Sequence, residues 1–353
     1  MKKILILAND VTTILQFRCE LITALVEAKK EVIVSVPDSE RIAEIEALGA
    51  KVIKTQVARH GKNPLKDLKL IKDYKKLLKE IKPDIVFTFT IKPNVYGGMA
   101  CRKLKIPFVA NVTGLGVVGK KGLLQTITLW LYKKGLRGAK CVFFQNSSNK
   151  EFFEQKKIVK GKTELLPGSG VNVQKFSYLE YPSSEEINIV FVGRIIKDKG
   201  VYELADAAKH FEARKDLKFT ILGTCEYGSE NPFDNLSNVN CLGYDKNVKP
   251  HLQKAHAIVL PSYHEGMANV LLEAASCGRP ILASLVPGCK ETFDEGVTGF
   301  GFEVKNSNDL IKVLEKFLNL SLEDKKQMGI DGRKKIEREF DRALVINKYF
   351  NQL

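Results

Sequence analysis

Two glutamates eight positions apart, Glu265 and Glu273, lie in a segment of otherwise small and apolar residues. The apolar run Ala257–Leu260 predicts a buried strand, and residues 268–276 predict a helix. Glu265 is then in the loop at the carboxyl end of the strand, where ligands of open parallel sheets bind. Carboxylates accept hydrogen bonds from sugar hydroxyls, and the first amides of a helix attract phosphate. The pattern favours a nucleotide-sugar pocket, although solvated surface charge explains the spacing alone equally well.

A basic loop follows the strand pattern at Ile187–Val192 and reads Gly193-Arg194-Ile195-Ile196-Lys197-Asp198-Lys199-Gly200. The glycine that opens this loop permits a close backbone turn. Its arginine offers a planar fork and its second lysine a mobile point charge, which together suit a diphosphate. By itself the segment is also compatible with an ordinary charged loop. Its combination with the two glutamates favours the diphosphate.

These motifs resemble the family-four retaining glycosyltransferases of the GT-B architecture. In that family a Gly-Arg and a Lys-Gly follow the first strand of the C-terminal domain, and two glutamates separated by seven residues come later. The resemblance covers nearly the whole chain, from the strand pattern at residues 4–8 to the segment at residues 340–349. Two further segments resemble the bacterial members that add an N-acetylhexosamine to undecaprenyl-diphosphate-linked sugars such as a diacetylbacillosamine lipid: Thr90-Ile91-Lys92-Pro93-Asn94 and Asn111-Val112-Thr113-Gly114-Leu115-Gly116.

The expected fold is α/β, with two doubly wound, Rossmann-like parallel-sheet domains that face each other across a cleft. A chain of 353 residues is long enough for two such domains. Two strand-and-helix series follow one another along the sequence. We therefore divide the chain into a first domain at residues 1–176, a linker at 177–186, a second domain at 187–335 and a C-terminal helix at 336–353 that packs on the first domain. The resemblance implies that the first domain binds the acceptor and the second the nucleotide sugar.

The resemblance implies a catalytic role for three residues. Arg194 and Lys199 would neutralise the diphosphate as the bond to the sugar breaks, when charge builds up on the leaving group. Glu265 would contact hydroxyls of the transferred sugar. Retention of configuration in the family is explained by front-face attack, in which an oxygen of the leaving phosphate removes the acceptor proton.

The remaining donor contacts are also implied by the resemblance. Glu273 would hold the two ribose hydroxyls, and the base would stack near Gly243 and Tyr244. Backbone close to the sugar and the distal phosphate would come from Gly193, Gly266, Met267, Ala268 and Asn269. No cofactor or metal is expected, because two protein cations replace magnesium and the chain lacks the closely spaced aspartate pair that would hold one.

Acceptor-side residues depart from the family pattern. Asn9 stands where many relatives have a Gly-Gly loop, and Thr113 lies near the position of a common histidine. Arg18 and Lys92 are candidates for binding an acceptor diphosphate, with surface charge as the alternative. The expected partners are thus a UDP-sugar and a lipid-diphosphate-linked sugar.

The positive charge of the chain is concentrated in its first half. The net formal charge is +15, and residues 1–176 contain 33 lysines and arginines against 15 aspartates and glutamates. Such a field attracts an anionic partner. Nucleic acid is disfavoured because no recognisable nucleic-acid-binding module accompanies the charge. An acidic soluble substrate and an anionic membrane surface remain, and residues 119–134 favour the membrane.

A candidate membrane-contact helix lies within this basic half. If residues 119–134 are helical, their apolar stripe comprises Leu123, Leu124, Ile127, Trp130 and Leu131, and a lysine pair at each end, including Lys133 and Lys134, meets lipid phosphates. A core helix with solvated lysines is the alternative. No segment is long and apolar enough to span a bilayer, and seven scattered cysteines indicate buried thiols. We therefore expect a cytoplasmic protein, peripheral on the inner face of the membrane.

Two other classes of protein remain open from the sequence. A UDP-sugar epimerase of the same architecture would bind the same donor, but its acid and base residues cannot be assigned here. A non-catalytic basic binding protein would explain the charge but not Glu265 and Glu273 beside Arg194 and Lys199. The identity of the hexosamine, GalNAc or GlcNAc, depends on the direction of one hydroxyl, which residue spacing does not encode.

Overall fold

A computed structural model describes residues 1–57, 64–114, 122–225 and 230–353 of the chain. The chain divides into two compact units, here called the first and the second unit. The first comprises Met1–Ser169 and Ala343–Leu353, and the second comprises Gly170–Arg342. The chain therefore passes from the first unit to the second after Ser169, whereas the sequence analysis placed the end of the first domain at residue 176.

The first unit is built on a parallel sheet of seven strands in the order β3-β2-β1-β4-β5-β6-β7. Its central strands are buried over their whole length, as expected when helices cover both faces of a parallel sheet. The strands are β1 (Lys3–Leu7), β2 (Glu31–Val36), β3 (Lys51–Lys54), β4 (Ile85–Phe89), β5 (Phe108–Val112), β6 (Cys141–Phe144) and β7 (Thr163–Leu165).

Helices connect these parallel strands. Two of them begin at a polar side chain that caps the first turn: Asp10 accepts from the Thr13 amide at 3.1 Å, and Asn146 from the Asn149 amide at 2.8 Å. The helices are α1 (Val11–Phe17), α2 (Cys19–Glu27), α3 (Ile42–Glu46), α4 (Pro64–Ile81), α5 (Gly98–Leu104, after a π-helical turn at Pro93–Gly97), α6 (Leu123–Gly135) and α7 (Ser147–Gln155).

The second unit has a parallel sheet of six strands in the order β10-β9-β8-β11-β12-β13. Its strands are β8 (Ile187–Val192), β9 (Leu217–Leu222), β10 (Val239–Gly243), β11 (Ala257–Leu260), β12 (Ile281–Ser284) and β13 (Gly299–Phe302). Its helices are α8 (Val201–His210), α9 (Lys249–Gln253), α10 (Asn269–Ser276), α11 (Ser307–Leu318) and α12 (Leu322–Glu339).

Both sheets are doubly wound, and the direction of strand order reverses within each of them. The reversal lies between β1 and β4 in the first unit and between β8 and β11 in the second. A crevice forms at the carboxyl ends of the strands on either side of such a switch point. The two predicted Rossmann-like sheets are confirmed, and each has one such crevice.

The C-terminal segment differs from the single helix predicted for residues 336–353. Residues 336–339 end α12, and α13 (Arg342–Phe350) begins after an extended break. The break is held to Val171, whose amide donates to the Phe340 carbonyl and whose carbonyl accepts from the Arg342 amide, both at 2.9 Å. This short ladder interrupts the helix because it uses the backbone groups that a continuous helix would need.

Helix α13 belongs to the first unit, where Tyr349 is fully buried. Its ring lies at 5.1 to 6.1 Å from those of Phe87, Phe89 and Phe143. Its hydroxyl donates to Asn111 Oδ1. A polar network continues from there, because Asn94 donates to the Asn111 carbonyl at 2.6 Å and Thr88 donates to Asn94 at 2.7 Å.

Two substitutions separate the ring of Tyr349 from its hydroxyl. Tyr349→Phe leaves Asn111 Oδ1 without its donor and should lower the free energy of unfolding by about 1 to 2 kcal/mol. Tyr349→Ala also leaves a cavity and should cost about 3 to 5 kcal/mol. The free energy of unfolding is measured by urea titration with Trp130 fluorescence as the signal, because the only tryptophan of the chain lies in the first unit. Leu344→Ala, at a residue of α13 that is 38% exposed, is the control. Equal losses for the Phe and Ala variants would contradict the packing role of the ring.

Candidate functional site

The two charged loops lie side by side at the switch point of the second unit. Strand β8 pairs in parallel with β11, with Ala257 opposite Ile189 and Ile258 opposite Val190. Residues 193–200 leave the carboxyl end of β8, and residues 261–268 leave the carboxyl end of β11. Strand order therefore brings the basic loop next to the first glutamate.

Lys199 and Glu265 form an ion pair between these loops, through Lys199 Nζ and Glu265 Oε1. The same carboxylate oxygen accepts from Ser262 Oγ at 2.8 Å. Both charged side chains are largely buried, at 22% and 14% exposure. Two residues assigned separately to the diphosphate and the sugar are therefore directly paired. Ser262 had not been assigned a role from the sequence.

Backbone contacts fix the spacing of the two loops. The Tyr263 amide donates to the Asp198 carbonyl at 2.9 Å. Gly200 has a φ of +69°, and a Cβ at this position would lie 2.0 Å from the Pro261 carbonyl oxygen. Only glycine fits such a left-handed position in contact with backbone. The Gly200 that ends the basic motif is thus required for the approach of Lys199 to Glu265.

A third loop, after β12, supports the start of α10. The Ala268 amide donates to the Gly288 carbonyl at 2.8 Å, so this amide is already occupied by the protein. The Gly288 amide in turn donates to Glu291 Oε2 at 2.7 Å, and a Cβ on Gly288 would lie 2.8 Å from the Glu265 carbonyl oxygen. The Ala268 amide is therefore directed at Gly288, and the predicted contact of Ala268 with the donor stays a prediction. Sequence reasoning missed Gly288 and Glu291, although a Pro-Gly turn after a strand is a recognisable signal.

The other predicted backbone contacts surround the same helix start. Helix α10 begins at Asn269, and Ala268 precedes it without a side-chain cap. Met267 and Ala268 are buried, while Gly266 and Asn269 are half-buried. The structure therefore places this whole segment beside the Lys199–Glu265 pair, with the first amides of a helix at its end.

Glu273 lies one turn along α10 and is half-buried. Burial raises the pKa of its carboxyl from an ordinary value of 4.5 to about 7, against the opposing effect of Arg342 and Lys175. Among the residues that the structure describes, none donates a hydrogen bond to this carboxylate. A desolvated acceptor of this kind is suited to two hydroxyl donors.

Residues predicted for the diphosphate and the base lie at the ends of β8 and β10, and β9 lies between these two strands. Arg194 is exposed directly after Gly193. A Cβ on Gly223, which follows β9, would lie 1.8 Å from the Gly193 carbonyl oxygen. The Gly223 amide also donates to the Gly243 carbonyl at 2.8 Å, and Tyr244 beyond it is 70% exposed. The three strand ends are therefore tied together, with an accessible aromatic ring at their edge.

The acceptor-side candidates all belong to the first unit. Asn9 and Thr113 are half-buried beyond the carboxyl ends of β1 and β5. Lys92 is paired with Asp67, with 3.1 Å between Nζ and Oδ1. Arg18 is 2% exposed, and its guanidinium lies 4.4 Å from the centre of the Phe89 ring. Arg18 is therefore buried and is not a surface charge, which was the alternative interpretation. Its acceptor role stays a prediction.

The predicted membrane-contact helix is α6, and its side chains divide between core and solvent. Thr128 and Tyr132 are buried, whereas Ile127 is 47% and Trp130 56% exposed. Lys133 and Lys134 are exposed, and Leu131 packs partly on the core. The side chains of Leu123 and Leu124, and residues 115–121 before them, lie outside the described residues. Ile127 and Trp130 are thus not core residues, contrary to the alternative interpretation of this helix.

Two kinds of feature are absent from the described part of the chain. None of its helices has the length and hydropathy needed to cross a membrane. Within the same residues, no three His, Cys, Asp or Glu side chains are grouped in a way that could hold a metal ion.

The raised pKa of Glu273 predicts a pH-dependent stability. Its folded-state pKa lies above the unfolded value, so its contribution is fully present below pH 4.5 and is lost as pH rises through 7. At pH 8 without nucleotide, Glu273→Gln should therefore be more stable than wild type by about 1 to 3 kcal/mol, and the difference should vanish near pH 4.5. Calorimetry at both pH values measures this, with the exposed Glu185→Gln as control. A destabilised Glu273→Gln protein at pH 8 would contradict the desolvation.

Comparison with known proteins assigns the chain to a family. Residues 180–335 match the model for glycosyl transferases group 1, and residues 3–146 match that for glycosyl transferase 4-like proteins. The chain is 31% identical over 344 residues to the N,N'-diacetylbacillosaminyl-diphospho-undecaprenol alpha-1,3-N-acetylgalactosaminyltransferase of Campylobacter jejuni, with 91% of this chain and 89% of the relative covered.

A second relative and a solved structure agree with this assignment. The UDP-Gal:alpha-D-GlcNAc-diphosphoundecaprenol alpha-1,3-galactosyltransferase of Escherichia coli is 26% identical, with 78% of each chain covered. The crystal structure of a glycosyltransferase from Rickettsia africae has a similar fold, with a TM-score of 0.83, 17% identity, and 99% of this chain and 97% of that chain covered. The chain therefore belongs to the group 1 glycosyl transferases and is a glycosyltransferase with the GT-B fold, rather than an epimerase or a non-catalytic binding protein.

Proposed function

We propose that this enzyme transfers an N-acetylhexosamine, GalNAc or GlcNAc, from a UDP-sugar to an undecaprenyl-diphosphate-linked sugar in the assembly of a bacterial surface polysaccharide or protein glycan. The observation that carries the proposal is the Lys199–Glu265 pair at the β8/β11 switch point, next to the start of α10 and to Glu273, whose carboxylate accepts no hydrogen bond from the described residues. The names of the two relatives support the lipid diphosphate, the UDP donor and the N-acetylhexosamine in this proposal.

In this proposal the cations of the basic loop stabilise the leaving group. Negative charge develops on the diphosphate as its bond to the sugar breaks, and Arg194 and Lys199 lie at the end of β8 to meet it. Lys199 is held in place beforehand by Glu265, so its ammonium group needs little reorganisation. Charge is then balanced by protein groups, without an obligatory metal.

The two glutamates divide the recognition of the donor. Glu265 is bonded to Lys199 and Ser262 through one carboxylate oxygen, Oε1, and its other oxygen can accept from hydroxyls of the sugar. Glu273, with no donor from the described residues, accepts the ribose hydroxyls, and Tyr244 stacks on the base. Binding of the ribose relieves the cost of the desolvated carboxylate because hydroxyl donors favour its ionised form.

The acceptor is proposed to bind the first unit, and attack to occur on the front face of the donor sugar. A leaving phosphate oxygen takes the proton of the attacking hydroxyl, and configuration is retained. Asn9, Thr113 and Lys92 lie beyond the carboxyl ends of β1, β5 and β4, where open sheets bind ligands. Exposed Ile127 and Trp130 on α6, with the lysines that follow, attach this unit peripherally to the inner face of the membrane.

A donor panel tests the reaction. The enzyme is incubated with UDP-GalNAc or UDP-GlcNAc, with and without a lipid-diphosphate sugar, and UDP release, product mass and the anomeric configuration of the product are measured. Acceptor-dependent release of UDP with one of the two donors and an α-linked product is expected. Release that needs no acceptor, or an inverted product, contradicts the proposal, and loss of transfer in a chelator contradicts the metal-free scheme.

Lys199→Ala tests the leaving-group role. Removal of one group that stabilises developing charge should lower kcat by more than about 100-fold. Lys197→Ala is a matched control, because Lys197 lies in the same turn but is exposed and has no ion-pair partner among the described residues. Its rate should stay within about twofold of wild type. A Lys199→Ala enzyme that keeps most of its rate, or equal losses in the two variants, would refute the assignment.

A further inference from the structure

A cavity of about 590 Å³ opens on the first unit, away from the strand ends that bear the acceptor-side candidates. It lies between the C-terminal end of α6 and the segment that follows α7. The side chains that matter for its chemistry are Trp130, Lys133, Lys134, Arg137, Ile158 and Lys160. Residues of the last two turns of α6 and of the turn after it thus form one wall, and the segment that begins at Ile158 forms the other.

The wall of this cavity is largely apolar. Trp130 is 56% exposed beside it, whereas Ile158 is buried in the core of the unit and closes its floor. Gly138, Ala139 and Gly161 complete the lining and add no polar side chain. The cavity therefore offers an apolar surface beside its charged side chains. A free inorganic ion would need only the charged side chains.

Four cations surround the same cavity, and none of them is neutralised by the described residues. Lys133, Lys134, Arg137 and Lys160 have no acidic side chain within ion-pair distance in that part of the chain. Neighbouring lysines differ, because Lys150 is 3.5 Å from Glu154 and Lys162 is 2.6 Å from Glu164. Four like charges around one apolar cavity repel each other and favour an anionic ligand.

We propose that this cavity binds the headgroup of an anionic phospholipid, with the phosphate between the cations and the glycerol and first acyl carbons against Trp130 and Ile158. The inference rests on the membrane location in the proposed function and adds a defined lipid site to it. Charge complementarity selects the phosphate, and the apolar wall together with the exposed ring of Trp130 selects a lipid over a free anion.

Trp130 fluorescence gives a direct readout, because Trp130 is the only tryptophan of the chain and lines the cavity. The full-length protein is titrated with monomeric dihexanoyl-phosphatidylglycerol, dihexanoyl-phosphatidylcholine or glycerol phosphate. The anionic lipid should produce a saturable blue shift and protection from acrylamide quenching. The zwitterionic lipid and the free headgroup should need at least about tenfold higher concentrations, since each lacks one of the two interactions.

Matched double variants separate a defined site from general attraction. Arg137→Gln with Lys160→Gln removes two charges from the cavity, and Lys69→Gln with Lys79→Gln removes two exposed charges from α4 of the same unit. The cavity variant should bind the anionic lipid at least about tenfold more weakly, and the α4 variant within about twofold of wild type. Both should bind UDP as wild type does, which reports that they are folded.

Three results would overturn the lipid site: equal losses in the two double variants, an equal response of wild type to glycerol phosphate and to the lipid, or no response of wild type. Equal losses in the two double variants would mean that the lipid is attracted by the overall charge of the unit. An equal response to glycerol phosphate would mean that the cavity binds phosphate alone. The donor assay with a short-chain lipid-diphosphate sugar is run in parallel. Transfer without a lipid response removes only this inference, and a lipid response without transfer removes only the proposed function.

Discussion

The ion pair between Lys199 and Glu265 is the interaction on which the candidate site of the second unit depends. Two largely buried charges lose hydration, and their attraction offsets that loss only when the geometry is held closely. Here the geometry is held by the pairing of β8 with β11, by Gly200 against the Pro261 carbonyl, and by the Ser262 hydroxyl on the same carboxylate. The parallel sheet therefore fixes the position of a charge.

In the proposed mechanism this pair places the ammonium group of Lys199 before the diphosphate binds. A free lysine has a long, mobile side chain, and ordering it costs up to about 2 kcal/mol of rotamer entropy. Glu265 removes that cost in the unliganded protein, and a diphosphate can share the cation without displacing it. Glu273 is organised in the opposite way, because its carboxylate is desolvated and has no donor from the described residues. Glu265 thus holds Lys199 in position. Glu273 has a desolvated carboxylate, which ribose hydroxyls would stabilise in the proposed complex.

The sequence predicted what is local in this arrangement. The strands at Ile187–Val192 and Ala257–Leu260 have the predicted bounds, and the helix after the second strand begins one residue later than predicted. These elements could be predicted because the hydrophobic pattern of each, and the Gly or Pro at its boundary, are contiguous along the chain. The adjacency of β8 and β11 depends on strand order, and the bond from the Ala268 amide to Gly288 joins loops after different strands. Neither follows from a local pattern. The break at residues 340–341 was missed because its partner, Val171, is distant in sequence. The family resemblance supplied the roles of the residues, and the geometry shows which of them act on each other.

The cations near α6 raise the question of whether the helix alone explains them. Lysines in the last turn of a helix interact favourably with its dipole, which accounts for Lys133 and Lys134. The same effect does not account for Lys160, which is on a different segment, or for Trp130, which keeps more than half of its surface in solvent. Arg137, in the turn that follows α6, adds a further positive charge beside Lys133 and Lys134. The helix dipole and the core thus leave Lys160 and the exposed ring of Trp130 unexplained, and the proposed lipid, which has an anionic and an apolar part, connects the two.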